Sequence, residues 1–145
     1  MTAILAIDSA TNACSAAISV DDEIIASCYQ EMRRGHAEHL VSMVGAIAKE
    51  VDCVLKTIDL VAVTIGPGAF TGLRVGLAAA RGFALSAGAP CLGMTSLEVI
   101  AAAVDNISAS RMVVMNSKRD DVYLQIFDPN GHPLTKPGVV MPTKI

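Results

Sequence analysis

Apolar and polar positions alternate in short runs over the first third of the chain, then shift to a helical period. Residues 3–7 form an apolar run that ends at Asp8-Ser9-Ala10-Thr11-Asn12, a turn signal. Residues 14–20 predict a second strand, Asp21-Asp22 a tight turn and residues 23–29 a third strand. Two successive hairpins make an antiparallel meander, which Arg33-Arg34-Gly35 closes. Over residues 36–51 the period changes. Leu40, Val44, Ile47 and Val51 recur at helical spacing, with Val41 and Ala48 beside them. Residues 59–65 read as a buried strand and 71–87 as a second helix, stopped by Gly88 with Pro90 two residues on. A short strand follows at 90–94. A third helix is expected over 95–104, where Thr95 and Glu98 spell a capping box. Residues 111–115 and 122–127 predict a further hairpin. Beyond Asp128-Pro129-Asn130-Gly131 no long apolar pattern remains.

The order βββαβαβα, then ββ, predicts an α/β domain with a mixed five-stranded sheet and helices on its faces. It is similar to the actin-like ATPase fold (ASKHA, ribonuclease H-like), whose members set two such domains around a cleft. Residues 1–108 are expected to form the first domain. Residues 109–145 are expected to begin a second that is truncated.

Composition adds three constraints. Hydrophobic residues make up 52% but aromatics only 3%, so the core is built from Ala, Val, Ile, Leu and Met. Charged residues are 17%, against about 25% in an average soluble domain. Some apolar surface is therefore expected to meet a partner. A net charge of −3 argues against a nucleic-acid binder acting alone. Cys14, Cys28, Cys53 and Cys91 are scattered, form no CxxC pair and fit reduced, buried thiols in a cytoplasmic protein. The first residues lack a basic stretch and reach Asp8 too soon for a signal peptide. The run 60–65 is too short to span a bilayer, and no membrane association is expected.

Candidate chemistry gathers at two turns. Gly66-Pro67-Gly68-Ala69-Phe70-Thr71-Gly72-Leu73-Arg74 joins a buried strand to a helix, a junction that gathers backbone N–H groups and a positive helix end. It lacks the Gly-Lys-Ser/Thr ending of a Walker loop and is not GxGxxG. Its glycines equally suit a tight crossover with close helix–sheet contact. Asp8-Ser9-Ala10-Thr11 reads either as a phosphate-facing turn or as a plain Asx turn. Asp8, Ser9, Thr11, Gly66, Gly68, Thr71 and Gly72 form a candidate nucleotide-binding remnant. Gly72, Gly76, Ala80 and Ala87 keep one helix stripe small, while Arg74, Ala78, Arg81 and Leu85 share another face. The arginines suit either a solvated face or interface anchors. His36 and His39 flank Glu38 at i, i+3, a better fit to a polar first helical turn than to the i, i+4 zinc pattern. No G-x-S-x-G elbow is present, so serine-hydrolase chemistry is set aside.

The segments A-I-D-S-A-T at 6–11, H-A-E-H-L at 36–40, G-P-G-A-F-T-G-L-R at 66–74, A-A-R-G-F-A-L at 79–85, G-M-T-S-L-E at 93–98 and N-S-K-R-D-D-V-Y at 116–123 together resemble the TsaB (YeaZ) family. The resemblance runs from residue 3 to 127. It implies a catalytically inactive relative of TsaD (Gcp), the enzyme that transfers threonylcarbamoyl to adenosine of ANN-decoding tRNAs. It implies a heterodimer with a TsaD-like protein, joined by a TsaE-like ATPase, with tRNA met only through the complex. ATP and metal are then expected in the partners, and no cofactor on this chain alone. TsaD-type enzymes carry a metal-binding N-H-x-x-G-H pattern on the helix after the strand matching 90–94. Its two His positions fall here on Ser96 and Ile100, which implies no metal site. The usual Asp of the family's D-A-R-x-x-E-V-Y stretch is Asn116, followed by Ser117, Lys118 and Arg119. The implied interface uses both long helices: His36, His39, Leu40, Met43, Ile47, Gly72, Arg74, Gly76, Leu77, Ala78, Arg81 and Leu85. The same surface is expected to pair two copies as a homodimer. An alternative is an actin-like ATPase or kinase fragment that binds nucleotide. A further one is a glycoprotease-like metallopeptidase.

Overall fold

The computed structural model describes residues 1–104 and 108–145 and divides into two compact units, Met1–Met94 and Thr95–Ile145. In the first unit the strands β1 (Ala3–Thr11), β2 (Ala13–Val20), β3 (Glu23–Glu31), β4 (Leu60–Thr64) and β5 (Cys91–Met94) form one mixed sheet. Its order is β3-β2-β1-β4-β5. The first three strands pair antiparallel, and β4 and β5 join in parallel. The expected five-stranded mixed sheet is present.

Two helices, α1 (His36–Glu50) and α2 (Phe70–Ala87), pack on this sheet. Leu5 pairs with Ile18 and Val61, and Ile7 with Ala16 and Val63, so these side chains line one sheet face. Leu40, Met43, Val44 and Ile47 of α1 and Ala80 and Ala84 of α2 complete the same core. Within this unit both helices cover the same face of the sheet. Small residues on the inner stripe of α2 let its axis sit low on the sheet. The opposite face, with Ile4, Ala6, Ala17 and Ala62, is half-exposed.

Three local differences from the sequence pattern have physical reasons. The turn expected at residues 8–12 is mostly strand: Asp8 pairs with Ser15 and Thr11 with Ala13 across a register shift. The Asx signal is real but sits on the bulge, where Ala10 N–H donates to Asp8 Oδ1 at 2.8 Å. Val41, expected beside the core, is exposed because it lies off the Leu40–Val44–Ile47 stripe. Val51 is the C-cap of α1.

The second unit holds α3 (Ser96–Ala102) and the strands β6 (Arg111–Asn116), β7 (Val122–Phe127) and β8 (Gly138–Val140). These strands make an antiparallel sheet of order β6-β7-β8. β8 has only three residues between Pro137 and Pro142, too short to leave an alternating pattern. The two compact units divide at 94/95, so α3 belongs with the second. The reason is the core of α3: Leu97 and Ala101 pack with Val113 and Phe127. The expected capping box is formed, with Thr95 Oγ1 accepting from Glu98 N–H at 3.1 Å and Glu98 Oε2 accepting from Thr95 N–H at 2.8 Å.

Candidate functional site

The glycine loop folds back onto the carboxyl end of β1. Gly66 has φ +107, in the region that favours glycine, and the Gly66–Pro67 peptide bond is cis. Ala69 N–H donates to Ala10 O at 2.7 Å, and the buried Ser9 hydroxyl donates to Gly72 O at 2.7 Å. A Cβ on Gly68 would meet Ala10 O, one on Gly72 would meet Ser9 O, and one on Gly76 would meet Ser9 Oγ, all inside 3.0 Å. The start of α2 at Gly72 therefore rests on the backbone of β1, and its next turn at Gly76 on the Ser9 side chain. This corrects the expectation that Gly72 and Gly76 face a partner: both are buried against β1 within this chain.

Asp8 stands at the same corner. Its Oδ1 accepts from Ala10 N–H and from Thr64 Oγ1, the latter at 2.6 Å, tying the carboxyl ends of β1 and β4. The candidate set Asp8, Ser9, Thr11, Gly66, Gly68, Thr71 and Gly72 belongs to the β1 end and the loop–helix junction. Within it, the Ser9 hydroxyl is committed to the fold and Gly66 and Gly72 are buried. Thr11 and Thr71 are exposed. His36 is buried, with Nε2 3.2 Å from Thr11 O, so it ties α1 to the same corner. Burial pushes the nearby Cys14 thiol up, and the Asp8 carboxylate adds to the effect.

The expected interface divides in two. Leu40, Met43 and Ile47 belong to this chain's own core, with Leu40 fully buried. This corrects their assignment to a docking surface. Leu77 is half-buried against the same core. His39, Arg74, Ala78, Arg81 and Leu85 are exposed. Leu85 is 86% exposed and Phe70 67%, and the Arg74 guanidinium lies 4.0 Å over the Phe70 ring. On α1, Val41, Ser42, Gly45 and Ala46 are exposed as well. Gly45 and Gly82 have no atom within 4 Å of an added Cβ, so the outer helix surface is shallow at both points. Val41, Gly45, Phe70 and Gly82 were missed in the sequence. Their signal was present as apolar or small residues out of phase with the inward stripe.

On α3, Ser96 is buried, its hydroxyl without a hydrogen-bond partner among the described residues, and Ile100 is exposed. No group of three His, Cys, Asp or Glu that could hold a metal ion occurs among the described residues. No helix there is long and apolar enough to cross a membrane.

The model of the TsaD family, tRNA N6-adenosine threonylcarbamoyltransferase, matches residues 24–136. The tRNA threonylcarbamoyladenosine biosynthesis protein TsaB of Escherichia coli (strain K12) is 39% identical over 98 residues, covering 68% of this chain and 42% of that protein. The chain belongs to the TsaB (YeaZ) family. YeaZ from Pseudomonas aeruginosa overlays on all of this chain and on 69% of its own, with a TM-score of 0.88 and 27% identity. The activator of 2-hydroxyisocaproyl-CoA dehydratase from Clostridium difficile, solved with bound ADPNP, shares the fold alone at a TM-score of 0.55 and 16% identity. The actin-like fold expected from element order is thus the fold of this TsaB-family chain. The chain spans about half the length of the curated relatives it matches.

Proposed function

We propose that this chain is a non-catalytic partner of a TsaD-type enzyme in threonylcarbamoyl transfer to adenosine of ANN-decoding tRNAs. It docks through the outer face of α1 and α2. The observation that carries the reading is that face: Val41, Phe70, Ala78 and Leu85 lie exposed on the two longest helices, with Arg74 and Arg81 among them. Exposed apolar residues interleaved with Arg and small side chains are the composition of an interface centre. The role of scaffold rather than enzyme is supported by Ser96 and Ile100, neither a useful pair of metal ligands. ATP, metal and tRNA are then handled by the TsaD-like protein and a TsaE-like ATPase. When TsaD is absent, the same face pairs two copies.

The test is light scattering on size-exclusion fractions of this chain with and without a TsaD-type protein. Leu85→Glu and Val41→Glu should weaken pairing at least about tenfold, as a charge pressed into an apolar contact costs more than about 1.4 kcal/mol. Both sites are exposed, so circular dichroism should stay unchanged. Equal elution of wild type and both variants under both conditions defeats the docking face. A second reading, nucleotide binding, is favoured by the Asp8–Thr64 pair at the strand ends. Calorimetric titration with Mg-ATP separates the two: submicromolar binding by this chain alone supports the ATPase or kinase reading.

A further inference from the structure

The outer face of α2 carries charge of one sign only. From Phe70 to Ala87 the ionisable side chains are Arg74 and Arg81, with neither Asp nor Glu among them. Both arginines are exposed, and among the described residues neither has an ion-pair partner. The helix itself gains little from them. A basic residue supports a helix in its last turn or opposite an acid three or four positions away, and neither holds here. Their spacing of seven residues puts both on one stripe, about 10 Å apart along the axis, with Ala78 between them. α1 supplies no counter-charge to the middle of the face, because residues 40–48 hold no ionisable side chain. Glu38 Oε2 lies 3.3 Å from where a Cβ on Gly35 would stand, so that carboxylate is folded back over the helix start. Glu50 is the last residue of α1.

We propose that Arg74 and Arg81 set the specificity of this face: they disfavour a second copy of the chain and select a helical partner that presents Asp or Glu about two turns apart. The inference rests on docking through α1 and α2 and adds which partner that face accepts. Two copies of this chain bring arginines to the contact from both sides and no carboxylate from the middle of either face. Each guanidinium then loses water without gaining a counter-ion. A partner with carboxylates at the matching spacing pairs both arginines, and the planar guanidinium takes a carboxylate through two parallel hydrogen bonds. Arg74 is already held for this, with its guanidinium 4.0 Å over the exposed Phe70 ring, so less side-chain freedom is lost on pairing. The short Ala78 side chain between the arginines lets the partner helix approach. Charge thus separates partners that the apolar part of the face, Phe70 and Leu85, would admit equally.

The experiment mixes the wild-type chain with its Arg74→Glu, Arg81→Glu double variant, which turns a second copy into the acidic partner. Sedimentation with one species fluorescently labelled reads the mixed and the like dimers. At about 0.1 M salt the mixed dimer should exceed its statistical share by about fivefold or more. At about 1 M salt, where the screening length falls from about 10 Å to about 3 Å, most of that excess should vanish. Arg81→Glu alone, at the arginine without a ring contact, gives the same direction should the double variant disturb α2. Against a TsaD-type protein, Arg74→Gln with Arg81→Gln should weaken pairing about fivefold while strengthening self-pairing. A merely structural role for the arginines moves both pairings the same way. A statistical mixture at low salt, or neutral variants that shift both pairings in one direction, overturns the proposal. Weakening of those pairings by Leu85→Glu then shows that the docking face itself stands. No pairing in any mixture, with or without Leu85→Glu, overturns the docking face and this proposal together.

Discussion

Replacing Gly72 by alanine tests whether α2 is seated on β1 through backbone contact. Alanine is the better helix former by at most about 0.8–1.0 kcal/mol. In open space the substitution would therefore stabilise the chain. At Gly72 the added methyl group would meet Ser9 O inside 3.0 Å, a distance that real Cβ contacts do not reach. Both sides of that clash are backbone, so relief requires α2 to lift from β1, at an overpacking cost of about 1–3 kcal/mol. The lift also stretches the bond from Ser9 Oγ to Gly72 O, worth about 1 kcal/mol. The steric loss exceeds the propensity gain, leaving Gly72→Ala roughly 1–3 kcal/mol less stable than wild type. Gly82, on the same helix with no atom within 4 Å of an added Cβ, is the reference. Gly82→Ala should gain up to about 1 kcal/mol. Urea denaturation followed by circular dichroism, at one low protein concentration, should place the two variants on opposite sides of wild type. A Gly72→Ala midpoint equal to that of Gly82→Ala would refute the reasoning.

Thiol reactivity and acid titration provide two further checks. Cys14 is buried and its thiol held protonated, whereas Cys91 is exposed. A thiol reagent at neutral pH should label Cys91 first and leave Cys14 silent in the native state; a fast phase that survives Cys91→Ser and maps to Cys14 contradicts the burial. Asp128 is held below the ordinary carboxylate value, first by the backbone N–H of His132 and less by its side chain. The stability this carboxylate lends is present above its unfolded-state pKa and is lost as pH falls through the lowered folded-state value. Carbon-13 titration of its carboxyl should show the low midpoint, most of which persists in His132→Ala because the backbone donor remains. A midpoint back in the ordinary range would overturn that assignment.

Element order was legible in the sequence because period and punctuation agreed. The meander, the two helices and the capping box at Thr95 all carry short-range signals. The proposed docking face was harder to read. Leu40, Met43 and Ile47 form an apolar stripe whatever they pack against, and hydrophobicity does not say whether the occupant is the chain's own sheet or a partner. The same holds for Gly72 and Gly76, where a small stripe admits a neighbour without naming it. Only coordinates distinguish Ser9 from a second helix. Residues such as Phe70 and Val41 were informative because they stood out of phase with the buried stripe.

The seating of α2 on β1 bears on how this chain tolerates mutation. At Gly68 and Gly72 the nearest atoms across the contact are main-chain oxygens, so the resting position of the helix's first turn owes little to the size of neighbouring side chains. Substitutions on its outer surface can accumulate without tilting the frame on which they stand. A new contact specificity there is therefore reachable by changing side chains one at a time, while a single methyl group on the inner side displaces the whole surface at once.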